Sequence, residues 1–412
     1  MKANGQLEQR LLVLVTLALV AFGLVMVYSA TSAAAALGNG DPITYLKRQG
    51  IYALLGLGLM VVASRFDHRR LRNLAPPLLL VALALCVAVL VVAPEINGAR
   101  RWLTAGPFTF QPSELAKLAL LLWAAAYLAR NGAPRTLGDL WKPIGMLTCL
   151  FAALIVVEPD LGTTIALVLM VAGMLVVAGV PGRTLAGAGS LAMFAGLAAI
   201  WLEPYRRARL FSFLDPWSDP EDTGFQTVQA LIGIGSGGVT GKGLGEGVQK
   251  INYLPEQQTD MILAVIGEEL GLIGTTAVIA AFAAFAFAGF TVALRCRDPF
   301  GKLLAAGITS LVCGQAAVNL AAVLGVAPLT GIPLPFVSYG GSSLVVLLAS
   351  VGILLNIAAD DRAPQRVASP DRRRRNGRAR PAVARSSSGA ARARRQRDVR
   401  RVAGSRRGAA RS

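Results

Sequence analysis

The chain has 412 residues, 54% of them hydrophobic and 16% charged, which is too apolar for an ordinary soluble domain. A net charge of +18 would suit a nucleic-acid binder if it were spread over a folded surface, but residues 362–412 hold 18 Arg against Asp371 and Asp398. That tail alone carries +16 and leaves about +2 for the rest of the chain, so the basicity says nothing about the body.

Apolar runs of about 20 residues, the length needed to cross a bilayer, recur along most of the sequence. Ten spans are predicted: 11–29, 50–64, 76–93, 113–129, 143–157, 161–180, 184–202, 261–294, 302–326 and 337–358. The first follows Arg10 like a signal peptide, but no small-residue cleavage site is clear after it, so it reads as an uncleaved span. The expected fold is all-α: a polytopic membrane protein of about ten transmembrane helices over 1–360, followed by a disordered tail over 361–412.

Arg and Lys fix the orientation. With the N-terminus inside, Arg65, Arg69, Arg70 and Arg72 fall in one cytoplasmic loop, and Arg130, Arg135 and Lys142 in the next. Arg183, then Arg295, Arg297 and Lys302, and finally the tail continue the pattern, as the positive-inside rule requires. Both termini are therefore expected in the cytoplasm, with a large extracytoplasmic loop between helices seven and eight. The tail, poor in large apolar residues, reads as a topology anchor that touches anionic membrane lipid. A specific protein or nucleic-acid contact is the alternative for the tail; for the protein as a whole no nucleic acid is expected.

This orientation gathers the unusual polar segments on the outer face: 94–112, the turn Glu158-Pro159-Asp160, the long loop 203–260, and 327–336. In the first, Ser113 is placed to cap the following helix, and Glu114 and Lys117 are i, i+3 neighbours on its first turn. These residues read either as a capped helix with a local ion pair, or as a setting in which Lys117 and Arg101 are cations waiting for an anionic ligand at the bilayer edge.

The long loop opens with Arg206, Arg207 and Arg209. Phe225, Val228, Leu231 and Ile232 then recur at helical spacing and predict a short interfacial helix, a lid or packing element. The glycine-rich stretch 235–247 fails the phosphate-loop pattern, because Ser236 stands five before Gly241 and Gly243 replaces the required Ser or Thr. It reads as a turn whose backbone amides could still meet a diphosphate.

The segment 252–271 packs Asp260, Glu268 and Glu269 at the entry to the eighth span. A continuous helix over its 34 residues, 261–294, would be about 51 Å long against a hydrocarbon core of about 30 Å. Something must protrude or bend, and Gly271 and Gly274 allow it. Asp260 reads as an N-cap or first-turn acid or as a working carboxylate; Glu268 and Glu269 read as a solvated helix face. The last outer segment, 330–343, has Pro333 and Pro335 and then Gly340 and Gly341, an irregular backbone suited to the wall of a groove. Cys86, Cys149, Cys296 and Cys313 show no ligand spacing with His68, so neither a disulfide framework nor a zinc site is expected.

Taken together, 97–102, 110–117, Asp215-Pro216-Trp217 with 224–229, 253–260 with 267–271, and 333–343 resemble the SEDS family of bacterial division, elongation and sporulation proteins (FtsW, RodA, SpoVE). The resemblance covers essentially everything but the tail. The wording at 215–219 and 244–250 is closer to FtsW or SpoVE than to RodA, while Met261 stands where the family usually has an aromatic.

The resemblance implies a peptidoglycan glycosyltransferase that polymerises lipid II on the outer face of the bacterial cytoplasmic (inner) membrane, with a role in cell division. It implies Asp260 as the catalytic general base, with Arg101, Lys117, Arg206 and Arg209 as cations for the substrate diphosphate. Glu114 would orient Lys117, and Glu268 would either orient a neighbour or help hold a divalent cation, Mg or Mn; no other cofactor is implied. The partners implied are a class B penicillin-binding transpeptidase, other divisome proteins and membrane lipids. A lipid II flippase, a RodA-type elongation polymerase and a transpeptidase-recruiting scaffold are the alternatives.

Overall fold

The computed structural model describes residues 4–36, 42–95, 98–106, 108–251, 254 and 256–360. The tail predicted to be disordered, and Asn97, Pro107, Asn252, Tyr253 and Pro255 among the motif residues, lie outside them. The described residues form one compact unit.

Thirteen α-helices follow in order among the described residues: α1 (Asn4–Ala36), α2 (Pro42–Arg65), α3 (His68–Val92), α4 (Pro112–Asn131), α5 (Leu137–Leu140), α6 (Met146–Val157), α7 (Leu161–Ala178), α8 (Gly182–Trp201), α9 (Pro204–Leu214), α10 (Phe225–Gly237), α11 (Ile262–Arg295), α12 (Pro299–Val323) and α13 (Gly341–Asp360). Ten spans are long and apolar enough to cross a membrane, with α5 and α6 joined through a π turn at Trp141–Gly145 into one of them. All ten predicted spans are present among the described residues, and an even number puts the start of α1 and the end of α13 on one face.

The boundaries differ where local chemistry outweighs hydropathy. The fifth span starts at Leu137, before Pro143, because Thr136 and Asp139 form a reciprocal capping box. α3 runs through Pro76 and Pro77 from His68, whose first turn is capped by Asp67. The carbonyls that these prolines leave without N–H donors lie toward the aqueous end of the helix, where water can serve them.

The core is a bundle in which α4, α12 and α13 are the most enclosed, α13 packed on α2 and α12 on α7 and α11. α8 is the least enclosed, with Leu191, Met193 and Phe194 exposed, as suits a lipid-facing helix. α1 and α11 lie side by side in opposite directions. Glu8 meets Arg295 at 2.5 Å at the inner end, and Ser29 meets Glu269 near the outer end. The inner face is tied further by Arg69 to Asp360 at 2.6 Å.

Among the described residues one feature departs from all-α: Leu103–Ala105 (β1) pairs antiparallel with Phe108–Phe110 (β2) in the first outer loop. The hairpin is held by Tyr52 of α2, whose hydroxyl accepts from the Thr109 N–H at 3.1 Å. α11 does bend as its length demands. Gly271 breaks it at φ 63°, ψ −156°, separating two turns at its outer end from the spanning part.

Candidate functional site

Asp260 sits in the turn that precedes α11, half-buried beside the irregular segment 329–336. Thr259 Oγ1 donates to Glu256, and Tyr339 N–H donates to the Gln258 carbonyl at 2.8 Å. The Asn319 amide of α12 donates to the Asp260 carbonyl at 2.7 Å and to the Ile332 carbonyl at 2.8 Å. Met261, Asn319, Val323, Leu329 and Gly331 close around the acid and leave no room for a water molecule. Burial pushes the Asp260 carboxyl up to about 6, with Glu256 adding to the rise and Arg209 opposing it. Arg209, on α9, is carried to this place by a guanidinium bond to the Leu329 carbonyl at 3.4 Å.

A second wing forms around the Glu158–Asp160 turn. Arg101 donates through Nε to the Glu158 carbonyl at 2.8 Å and through Nη2 to the Pro159 carbonyl, and lies over the Trp102 ring. Glu158 is fully buried, and neither carboxyl oxygen has a hydrogen-bond partner. Burial first, then Asp160, push its carboxyl up to about 8, against Arg101. Asp160 caps α7 through the Thr163 N–H and accepts from Gln111 Nε2 at 2.9 Å. A Cβ on Gly162 would fall 2.7 Å from the Thr330 carbonyl, so the start of α7 presses on the same segment that flanks Asp260.

Beneath Gln111, Lys117 pairs with Glu114 at 2.9 Å; the two side chains are 0% and 3% exposed. Glu114 Oε2 and Ser113 Oγ are buried without a partner. Lys117 is thus a buried member of an ion pair, not an open cation at the bilayer edge. Ser113 is not the cap either: Pro112 occupies the first turn of α4, which moves the N-cap to Gln111.

The third cluster overturns the solvated-face reading of Glu268 and Glu269, both fully buried. Glu268 accepts from Lys242 Nζ at 2.8 Å, Val248 N–H at 2.9 Å and Gln249 N–H at 3.0 Å. Glu269 accepts from Lys250 Nζ at 2.7 Å and from the Ser29 hydroxyl. The glycine-rich stretch is indeed a turn. It folds onto the outer two turns of α11 through Lys242 N–H to the Glu268 carbonyl and Gly243 N–H to the Glu269 carbonyl, both at 3.0 Å. The amides just past the stretch, those of Val248 and Gln249, hold the protein's own Glu268 carboxylate. Both Glu268 oxygens are filled by N–H donors, which fits orientation of the loop and not a divalent cation. Among the described residues no group of three His, Cys, Asp or Glu side chains converges on a metal site.

The family model described as cell cycle protein, covering FtsW, RodA and SpoVE, matches residues 9–363. The chain belongs to that family. A relative described as a probable peptidoglycan glycosyltransferase FtsW, from Geobacter sulfurreducens, is 44% identical over 84% of this chain and 94% of its own length. Stage V sporulation protein E of Bacillus subtilis is 37% identical over 84% of this chain and 96% of its own. Among solved structures, a chain of a peptidoglycan synthase complex that coordinates polymerization and crosslinking superposes with TM-score 0.70, at 37% identity, covering 85% of this chain and 97% of that one. The rod shape determining protein RodA of Thermus thermophilus superposes at 0.62, with 32% identity over 85% and 96%.

In this FtsW/RodA/SpoVE family member the outer loops do come together, but the predicted site residues divide into distinct jobs. Arg209 acts on Asp260. Arg101 braces the Glu158 turn, and Arg206 ties α9 to the ends of α8 and α6 by donating to the Ala199 carbonyl at 3.1 Å and the Val156 carbonyl at 2.8 Å. Sequence reading named Glu158 only as part of an unusual outer turn, and assigned no role to Asn319, Lys242 or Lys250. A polar residue inside an apolar span was the available signal for Asn319. For the two lysines the sequence held no local signal, since they stand 26 and 19 residues from the glutamates they pair with.

Proposed function

We propose that this family member is a peptidoglycan glycosyltransferase of the FtsW type, with Asp260 as its general base. Lipid II is the substrate, and the reaction runs on the outer face of the bacterial cytoplasmic membrane. The acceptor's 4-hydroxyl oxygen forms a bond to the donor's anomeric carbon as that carbon's bond to the lipid diphosphate breaks. Asp260 takes the hydroxyl proton, and the diphosphate leaves with the bonding pair. The observation that carries this is Asp260 itself: it stands in the turn before α11, beside the irregular segment 329–336, with burial raising its carboxyl to about 6, near the pH at which a base both stands deprotonated and holds a proton well.

A diphosphate leaving group needs positive charge nearby and no second carboxylic acid. Arg209 is placed for that, and Arg101 and Arg206 add positive potential while bracing their loops. The Glu114–Lys117 pair is proposed to reach substrate only when the contacts over it open, exposing the unpaired Glu114 oxygen as well as the ammonium. Glu268 serves the site by holding the glycine-rich turn. We propose a class B penicillin-binding transpeptidase as the partner, in keeping with the synthase complex that the fold resembles, and contact of the Arg-rich tail with anionic lipid.

The test is polymer formation from labelled lipid II by the purified protein with its transpeptidase. Asp260→Asn should abolish polymer and leave lipid II binding intact. Normal polymer from the variant would rule out the base, and lipid II crossing vesicles without polymer would mark a transporter.

A further inference from the structure

We infer that Asn319 is the positioning residue of Asp260, fixing the main chain that carries the carboxyl and so the angle at which it meets the acceptor hydroxyl. The inference rests on Asp260 being the base.

Asn319 lies one turn before the end of α12 and is 2% exposed. Its two hydrogen-bond partners, the carbonyls of Asp260 and Ile332, are both acceptors. Only the NH2 group can serve them, so the orientation of the amide is settled and both of its hydrogens are used. One side chain thereby joins three segments far apart in sequence: the core helix α12, the turn before α11, and the loop before α13. α12 is among the most enclosed helices, so the anchor is rigid.

The remaining atom, Oδ1, has no choice of direction once the NH2 group is committed. It is buried without a partner, and Asn319 packs in the same close seam as Asp260, Leu329 and Gly331. Thr330 Oγ1, from the same seam, is also buried and unpartnered. The chemistry of the amide excludes the obvious substitutes. Serine has one hydrogen to give, so one carbonyl would be lost; aspartate has none and would set a negative charge against two carbonyl oxygens and a nearby carboxylate.

The experiment measures polymerisation rates from labelled lipid II across pH 5 to 9, with full-length protein in complex with its transpeptidase. For Asn319→Ala a loss of about 100-fold in kcat is expected, the scale of a base displaced by about 1 Å, with KM within about 3-fold of wild type. The acid limb of the profile should also move to lower pH, because water entering the vacated space relieves the burial that raises Asp260. Asn319→Ser should fall between, and Asn319→Asp should move the acid limb the other way. Asn319→Ala with wild-type kcat and an unmoved limb overturns the inference. So does a rate loss that follows a lowered melting temperature while the limb stays in place. If Asn319→Ala does not fold, Asn319→Ser decides by the same two readouts. Asp260→Asn runs alongside: polymer from that variant sinks the base assignment, whereas its loss with an unaffected Asn319→Ala sinks only the positioning role.

Discussion

Glu158→Gln tests whether a carboxylic acid is held neutral beside the site. Glu158 closes α6 through its main-chain N–H, and its carboxyl is fully buried with no hydrogen-bond partner on either oxygen. Its ordinary value of 4.5 is raised to about 8, chiefly by burial. Between these values the folded protein binds a proton that the unfolded chain has released. Stability therefore falls as pH rises from 4.5 through 8 and levels off above. The full shift corresponds to about 5 kcal/mol lost by pH 9. Glutamine has the same shape and cannot ionise, but its NH2 group enters the same unpartnered site at a cost of about 1–3 kcal/mol. The variant should thus melt slightly below wild type near pH 5 and clearly above it near pH 9, read as melting temperature by intrinsic fluorescence in detergent. Two parallel curves would refute the reasoning, since they would mean that Glu158 is ionised and satisfied at every pH tested.

Three further outcomes follow from the same geometry. Lys250→Met strands the Glu269 carboxylate in a buried site with Ser29 as its remaining side-chain donor, and should cost about 3–5 kcal/mol of stability; Lys250→Met with Glu269→Leu should recover most of it. A single variant no worse than the double would show that the pair does not hold the turn. Gly271→Ala puts a side chain at φ 63° with its Cβ 2.4 Å from the Gly241 nitrogen, and should lower stability by at least about 2 kcal/mol in a melting assay. Arg209→Gln removes the charge that holds Asp260 down, so the acid limb of polymerisation should move above about 6, with activity at pH 6 suffering more than at pH 8; an unmoved limb would place Arg209's role elsewhere.

The spans were legible because crossing a bilayer is a demand on length and composition that a single stretch of sequence meets by itself. Asp260 was legible in the same local sense, as an acid at a helix entrance, though resemblance was needed to choose it over Glu268 and Glu269. What stayed hidden depends on contacts between distant segments. Glu114 and Lys117 were readable as an i, i+3 pair, but their burial is set by the helices packed around α4. Glu268 and Glu269 looked solvated because the 19 to 26 residues separating them from Lys250 and Lys242 gave no hint that the glycine-rich turn folds back. Asn319 looked like an isolated polar residue in a span, since its partners lie 59 residues before it and 13 after.

The break at Gly271 links these features. A 34-residue helix is too long for the bilayer, and a simple overhang would have left Glu268 and Glu269 in water, as the sequence suggests. Instead the positive φ at Gly271 lets the main chain of the glycine-rich turn reach it, with Leu272 N–H and Ile273 N–H donating to the Gly238 and Val239 carbonyls. The outer two turns of α11 are then enclosed by α10 and that turn, and their carboxylates must be paired because they are no longer wet. That enclosure fixes the far end of the short helix, while Asn319 fixes the near end at Asp260. Asp260 is thus fixed through its main chain from both sides, while its carboxyl accepts a hydrogen bond from the Thr259 hydroxyl at 3.3 Å.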